Sequence, residues 1–178
     1  FTDNINNTVQ SFFSSFGQLT EVRDPRGKSS GFEYDASGNI SATIDKSGAR
    51  STYVHDVLGN LTSSTDPLGR TSNFTYDNAN RLITSTDPNG ATTTFTYDVN
   101  GNLTKITDQL GREWRTVYDS SNRPIESIDP LNRKTTKTYS VDGDLLSVVS
   151  PTGRTAKYQY DARGQVTRVT DPENKIVE

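Results

Sequence analysis

The chain has no cysteine and no methionine, a single tryptophan and a single histidine. Without cysteine there is no disulfide framework and no thiolate metal site, and the compartment stays open on that count. The lone histidine, His55, builds neither a triad nor a metal centre by itself and reads as a substituted wall residue. With no methionine anywhere, Phe1 is not expected to be a natural start. Apolar residues are scarce as well, at 30% against roughly 45–50% in ordinary globular chains. Ser, Thr, Asn and Asp fill the deficit, so the expectation is a sheet with one modestly apolar face rather than a thick two-layer core. No apolar run approaches the ~20 residues of a membrane span, and membrane insertion is not expected. A net charge of −3 gives no electrostatic footprint for nucleic acid or anionic lipid.

What is present is a period. Every 21 residues, without insertion or deletion, Asp24, Asp45, Asp66, Asp87, Asp108, Asp129 and Asp171 fall on one column, with Ser150 the departure. Ten residues later runs a second column: Tyr34, His55, Tyr76, Tyr97, Tyr118, Tyr139 and Tyr160. Asp follows each of these, as in Asp35, Asp77, Asp98 and Asp161, except that Ser140 follows Tyr139. Fixed-period self-similarity means a supersecondary unit stacked on its neighbours, so the array is the unit of function. Residues 1–178 read as one array of about eight repeats. Because Asp3-Asn4-Ile5-Asn6 is already a repeat turn and Glu178 falls in a strand position, the expectation is a fragment of a longer region without capping repeats.

Each repeat holds two turns and two strands. In Asp24-Pro25-Arg26-Gly27 the Asp side chain accepts backbone hydrogen bonds, Pro presets φ near −65°, and Gly suits the last position. Asp35-Ala36-Ser37-Gly38 keeps the spacing without the Pro. The last turn position is always Gly or Asn, the residues most at ease with positive φ. Gly27, Gly48, Gly69, Gly90, Gly111, Asn132, Gly153 and Asn174 hold it in the first turn, after Asn6. Gly17, Gly38, Gly59, Asn80, Gly101, Asn122, Gly143 and Gly164 hold it in the second. Only Gly31 of the 13 glycines lies elsewhere. A type I turn followed by a left-handed residue is a common hairpin connection with a G1 bulge.

The segments between turns, Lys28–Tyr34 and Asn39–Ile44 in the first full unit, alternate as strands do. Phe32 and Tyr34, Phe74 and Tyr76, and Phe95 and Tyr97 put aromatics on one face. Ile40, Leu61, Leu82, Leu103, Leu145 and Val166 form a matching column, with Pro124 the misfit. No helical period occurs, so the fold class is all-β: tandem hairpins in a continuous antiparallel ribbon. About sixteen strands at roughly 4.8 Å each would make it on the order of 75 Å wide. Since twisted open sheets rarely exceed ~10 strands, it is expected to coil.

Two motifs carry a resemblance. Tyr97-Asp98-Val99-Asn100-Gly101-Asn102-Leu103 and Asp66-Pro67-Leu68-Gly69-Arg70, recurring in register along the chain, resemble the YD or RHS repeat. The resemblance implies a β-ribbon that spirals into a hollow shell, as in bacterial polymorphic toxins, insecticidal toxin complexes, wall-associated proteins and teneurins. It further implies a secreted or cell-surface, bacterial setting and an enclosed C-terminal cargo. The family's self-cleaving aspartate lies in a distinct segment beyond the repeats, so no catalytic residue is carried over. The expected role is structural, with no cofactor, no metal and no enzyme activity. Its partners are neighbouring repeats, a cargo, or further copies end to end.

Other readings compete with this one. The many Asp residues, near Arg70, Arg112, Arg133 and Arg154, suggest calcium or paired-carboxylate chemistry, but each Asp sits where it caps turn N–H groups. Asp142-Gly143-Asp144 is too short for an EF-hand-like loop. Trp114, on the column of Ser30, Ser51, Ser72 and Thr93, reads as a gap filler, with a partner-facing anchor as the alternative. Asn60-Leu61-Thr62, Asn73-Phe74-Thr75 and Asn102-Leu103-Thr104 match N-glycosylation acceptors, two of them through the repeat's own wording. An extracellular fibre or adhesin, using its tyrosines on carbohydrate, is the rival to a shell.

Overall fold

The computed structural model describes residues 8–177. The turn expected at Asp3–Asn6 and the strand position of Glu178 lie outside them. The fold is all-β, with seventeen strands and no helix among the described residues. Consequently no helix is long and apolar enough to cross a membrane.

Two compact units divide after Thr92. In the first, β1 (Gln10–Phe13), β2 (Leu19–Arg23), β3 (Ser29–Tyr34), β4 (Ile40–Ile44), β5 (Arg50–His55), β6 (Leu61–Thr65), β7 (Thr71–Tyr76) and β8 (Leu82–Thr86) follow in order. Each pairs antiparallel with the next. The second unit is likewise a meander. It comprises β9 (Thr92–Tyr97), which opens at the boundary, β10 (Leu103–Thr107), β11 (Glu113–Tyr118), β12 (Pro124–Ile128), β13 (Lys134–Tyr139), β14 (Leu145–Val149), β15 (Thr155–Tyr160), β16 (Val166–Thr170) and β17 (Ile176–Val177). Its pairing is again antiparallel from each strand to the next. Within each unit, strands touch only their neighbours in the chain, as in a quasi-one-dimensional array.

The two turn types close two different hairpins. After Asp-Pro-x-Gly, β2 and β3 pair at Arg23↔Ser29, Val22↔Ser30 and Glu21↔Gly31, and there the ladder stops. After Tyr-Asp-x-x-Gly, β3 and β4 pair at Tyr34↔Ile40, then jump to Glu33↔Ala42, Phe32↔Thr43 and Gly31↔Ile44. The jump leaves Ser41 opposite no residue. The same step recurs at β7–β8, β9–β10 and β15–β16. This second bulge was not expected from the sequence. It puts Tyr34 and Ile40 directly opposite each other, which is how the tyrosine and leucine columns come to share a face.

The scarcity of apolar residues shows in the packing. Ala42, fully buried, is the only buried hydrophobic among the described residues. Most strand residues are half-buried. The fold therefore depends on ladder hydrogen bonds, turn capping and shallow packing rather than on a closed core.

Candidate functional site

Each turn is built around one carboxylate. Asp24 Oδ1 accepts the N–H groups of Arg26 and Lys28, both at 3.0 Å. The backbone adds Gly27 N–H to Asp24 O at 2.9 Å and Asp24 N–H to Lys28 O at 2.9 Å. Asp35, Asp66, Asp77, Asp87, Asp98 and Asp161 hold their turns in the same way. Where the column carries Ser140 or Ser150, the hydroxyl takes over, accepting from Asp144 N–H at 3.0 Å and Arg154 N–H at 3.1 Å. The twelve expected glycines and Asn80, Asn122, Asn132 and Asn174 all have positive φ.

The second carboxylate oxygen is also engaged. Arg70, Arg112 and Arg133 donate Nε to Asp66, Asp108 and Asp129 at 2.6 Å each, and Lys46 reaches Asp24 at 2.9 Å. Arg154, whose column partner is Ser150, pairs with Glu173 instead. The Arg70 guanidinium and then its backbone N–H hold the Asp66 carboxyl below its ordinary value. Lys46 does so first for Asp24, and the Asn60 amide for Asp56. At Asp129 partial burial pushes upward but is outweighed by the Arg133 N–H and guanidinium. These carboxylates therefore serve as turn anchors. Among the described residues no group of three or more acidic or histidine side chains could hold a metal.

On the Tyr-Asp edge the anchors are linked from one repeat to the next. Asn60 Nδ2 donates to Asp56 Oδ2 at 3.0 Å and to Asn80 Oδ1, in the following turn, at 3.1 Å. Asn102 repeats this with Asp98 at 2.9 Å and Asn122 at 2.7 Å. Arg123 continues the series, donating to Asp119 at 2.7 Å and to the Ser140 carbonyl at 2.8 Å. The glycosylation-like asparagines Asn60 and Asn102 are thus rungs of a polar ladder. Their threonines, Thr62 and Thr104, are the bulge residues, donating to the Val54 and Thr96 carbonyls at 3.1 Å.

The tyrosine column has an equally fixed role. Tyr34, Tyr76, Tyr118, Tyr139 and Tyr160 donate their hydroxyls to the carbonyls of Leu19, Leu61, Leu103, Pro124 and Leu145, at 2.8 to 3.1 Å. Each bond staples the open end of an Asp-x-x-Gly hairpin, just beyond the point where the ladder stops. Tyr97, opposite Leu103, holds the same column. Each of these hydroxyls thereby spends its one donor hydrogen inside the ribbon. His55 is too short for the staple. Its Nδ1 is buried without a hydrogen bond and lies 3.9 Å from Asp35 Oδ2.

Two features are not legible in the column pattern. The turn tips carry aliphatics in full solvent: Leu68, Leu110 and Leu131 on the Asp-Pro edge, and Val57, Leu58, Val99 and Val141 on the other. Turn chemistry asks for none of them, since those positions are ordinarily polar. Trp114, read as a filler of a local gap, is only partly covered. It stays 40% exposed, with the Arg112 guanidinium 5.7 Å from its ring centroid.

Hairpins of constant length, anchored by turn carboxylates and stapled by tyrosines, define a tandem-repeat β-ribbon. The RHS Repeat family matches residues 13–50, 55–92, 76–113, 97–134 and 139–176, most of the chain. The chain belongs to the RHS repeat family. No curated protein matches it in sequence. Among solved structures it resembles a chain in the crystal structure of TcdB2-TccC3-Cdc42, with TM-score 0.66 at 15% identity over 91% of this chain. A Photorhabdus luminescens Tc holotoxin pore gives TM-score 0.65, also at 15% identity and 91% coverage. The crystal structure of TcdB2-TccC3 gives 0.64 with the same identity and coverage. The chain spans only 12% of each of those chains, so the likeness is one of fold.

Proposed function

We propose that this chain is a wall segment of a hollow shell that encloses a polypeptide such as a toxin, in a secreted or cell-surface bacterial protein. The likeness of its ribbon, over 91% of its length, to part of a much longer Tc-toxin chain carries the reading. Family membership adds the shell architecture that the YD motifs imply. The exposed aliphatic tips on both ribbon edges give one turn of a spiral something apolar to meet in the next. The chain's task on this reading is mechanical, and no catalytic step is assigned to it.

Protease accessibility of the native, full-length protein tests this. Enclosure predicts that the polypeptide following the repeats survives digestion until urea opens the ribbon. Digestion at the same rate before and after urea would overturn it. One observation favours the rival fibre: the described repeats share one length with no insertion, as a uniform filament requires. A fibre would show no protected segment.

A further inference from the structure

The ribbon repeats a shallow groove as well as its turns. In the first unit, Ser30, Gly31, Phe32, Thr43, Ile44, Asp45, Ala49, Ser51 and Pro67 line one of about 290 Å³. In the second, a groove of about 230 Å³ is lined at the corresponding positions four repeats on, including Trp114, Thr116, Ser127, Asp129, Arg133 and Pro151. The same backbone makes both, and the side chains differ in kind. Trp114 replaces Ser30, Thr116 replaces Phe32, and Arg133 replaces Ala49. One groove is a plain dent in the sheet. The other has gained a half-exposed indole wall and the Arg133 guanidinium on its rim, with a threonine in place of the phenyl.

From this we infer that the Trp114 groove binds a neutral, β-linked pyranose unit of a polysaccharide. Trp114, 40% exposed as a residue and with the Arg112 guanidinium 5.7 Å from its ring centroid, offers a flat apolar surface. A pyranose whose substituents are all equatorial presents a matching flat face of axial C–H bonds. Orientation then needs donors and acceptors around the ring. Asp129 and Arg133 stand at the rim with Oδ2 and Nε 2.6 Å apart, and Thr116, Ser127 and Thr135 add hydroxyls to the lining. Charge selects against anionic partners. Arg133 is paired with Asp129 and Arg112 with Asp108. Arg115, which also lines the groove, alternates to the strand face opposite Trp114 and Thr116 and donates to Asn132 Oδ1 at 2.9 Å. No guanidinium on the indole's face therefore brings an uncompensated charge for a phosphate or a uronate. Stacking on single-stranded nucleic acid would need a positive groove.

Trp114 is the only tryptophan, so intrinsic fluorescence reports this groove alone. Titrating the chain with cellohexaose should give a saturable shift in the emission, and hexagalacturonate should give a much weaker one. Trp114→Ser and Arg133→Ala install residues that the same columns carry at Ser30 and Ala49, so both variants should fold with little change in Tm. By calorimetry, Trp114→Ser should weaken cellohexaose binding by about tenfold or more, the worth of one stacked ring, and Arg133→Ala should weaken it less. The inference is overturned by the absence of a saturable shift with cellohexaose, by an unchanged affinity in Trp114→Ser, or by hexagalacturonate binding as tightly as cellohexaose.

Discussion

At the residue scale, left-handed turn positions and turn carboxylates set stability. Gly69 has φ +78 and open space where a Cβ would stand, so a substitution there tests backbone strain alone. Gly69→Val should lose roughly 1–3 kcal/mol. Gly69→Asn should lose less than about 1 kcal/mol, because Asn80, Asn122, Asn132 and Asn174 already sit at φ 57 to 64. Urea midpoints of the two variants decide it, and equal losses would refute the turn geometry. His55 offers the opposite test. His55→Tyr should install the missing staple to the preceding hairpin and relieve a buried, unpartnered nitrogen, gaining about 0.5–1.5 kcal/mol. A lower Tm in that variant would show that the column does not work as described.

The same carboxylates fix a pH dependence. In Asp24, Asp35, Asp45, Asp56, Asp66, Asp77, Asp98, Asp108 and Asp119, hydrogen bonds hold the folded-state value below the ordinary 3.8. The unfolded chain therefore takes up more protons as pH falls through this range. Stability contributed by these groups is fully present above the ordinary carboxylate range. It is lost as pH falls below that range towards the folded values. Urea midpoints should agree at about pH 7 and 5 and drop sharply at about pH 3. A flat profile would mean that the anchors contribute nothing.

At the element scale, the hairpin is the unit, and the tyrosine staple closes the end that the turn cannot reach. Tyr76→Phe deletes the 2.9 Å bond to the Leu61 carbonyl while keeping the ring. It should cost about 0.5–1.5 kcal/mol and speed amide exchange at the open end of β6–β7. No change in exchange there would contradict the staple. Most of the hairpin is legible from the sequence, because Gly or Asn after Asp-x-x has one dominant backbone solution. The strand ends expected at Lys28 and Asn39 fall one residue outside β3 and β4, since those residues close the turn through their carbonyls. The bulge at Ser41 is not legible, since its extra residue is an ordinary strand residue that no Gly or Asn marks. The Asn60–Asn80 and Asn102–Asn122 bonds are hidden for another reason. They join residues 20 apart, and the motif that holds their donors also spells a glycosylation acceptor.

At the scale of the whole molecule, strands that within each unit touch only chain neighbours among the described residues make the stability of that unit a sum of local terms. A destabilised repeat should therefore open by itself and its neighbours, leaving distant repeats protected. The aliphatic turn tips contribute nothing visible to any hairpin. Leu110→Asp with Leu131→Asp should accordingly leave the Tm of the chain almost unchanged while impairing any assembly in which ribbon edges meet. That the tips are apolar was invisible in the columns, which record what the turn requires and not what its free positions face. The central claim is that these ribbons wall off a polypeptide, and electron microscopy of the full native protein tests it most directly. The account predicts discrete hollow particles with density inside. Long uniform filaments without an interior would contradict it.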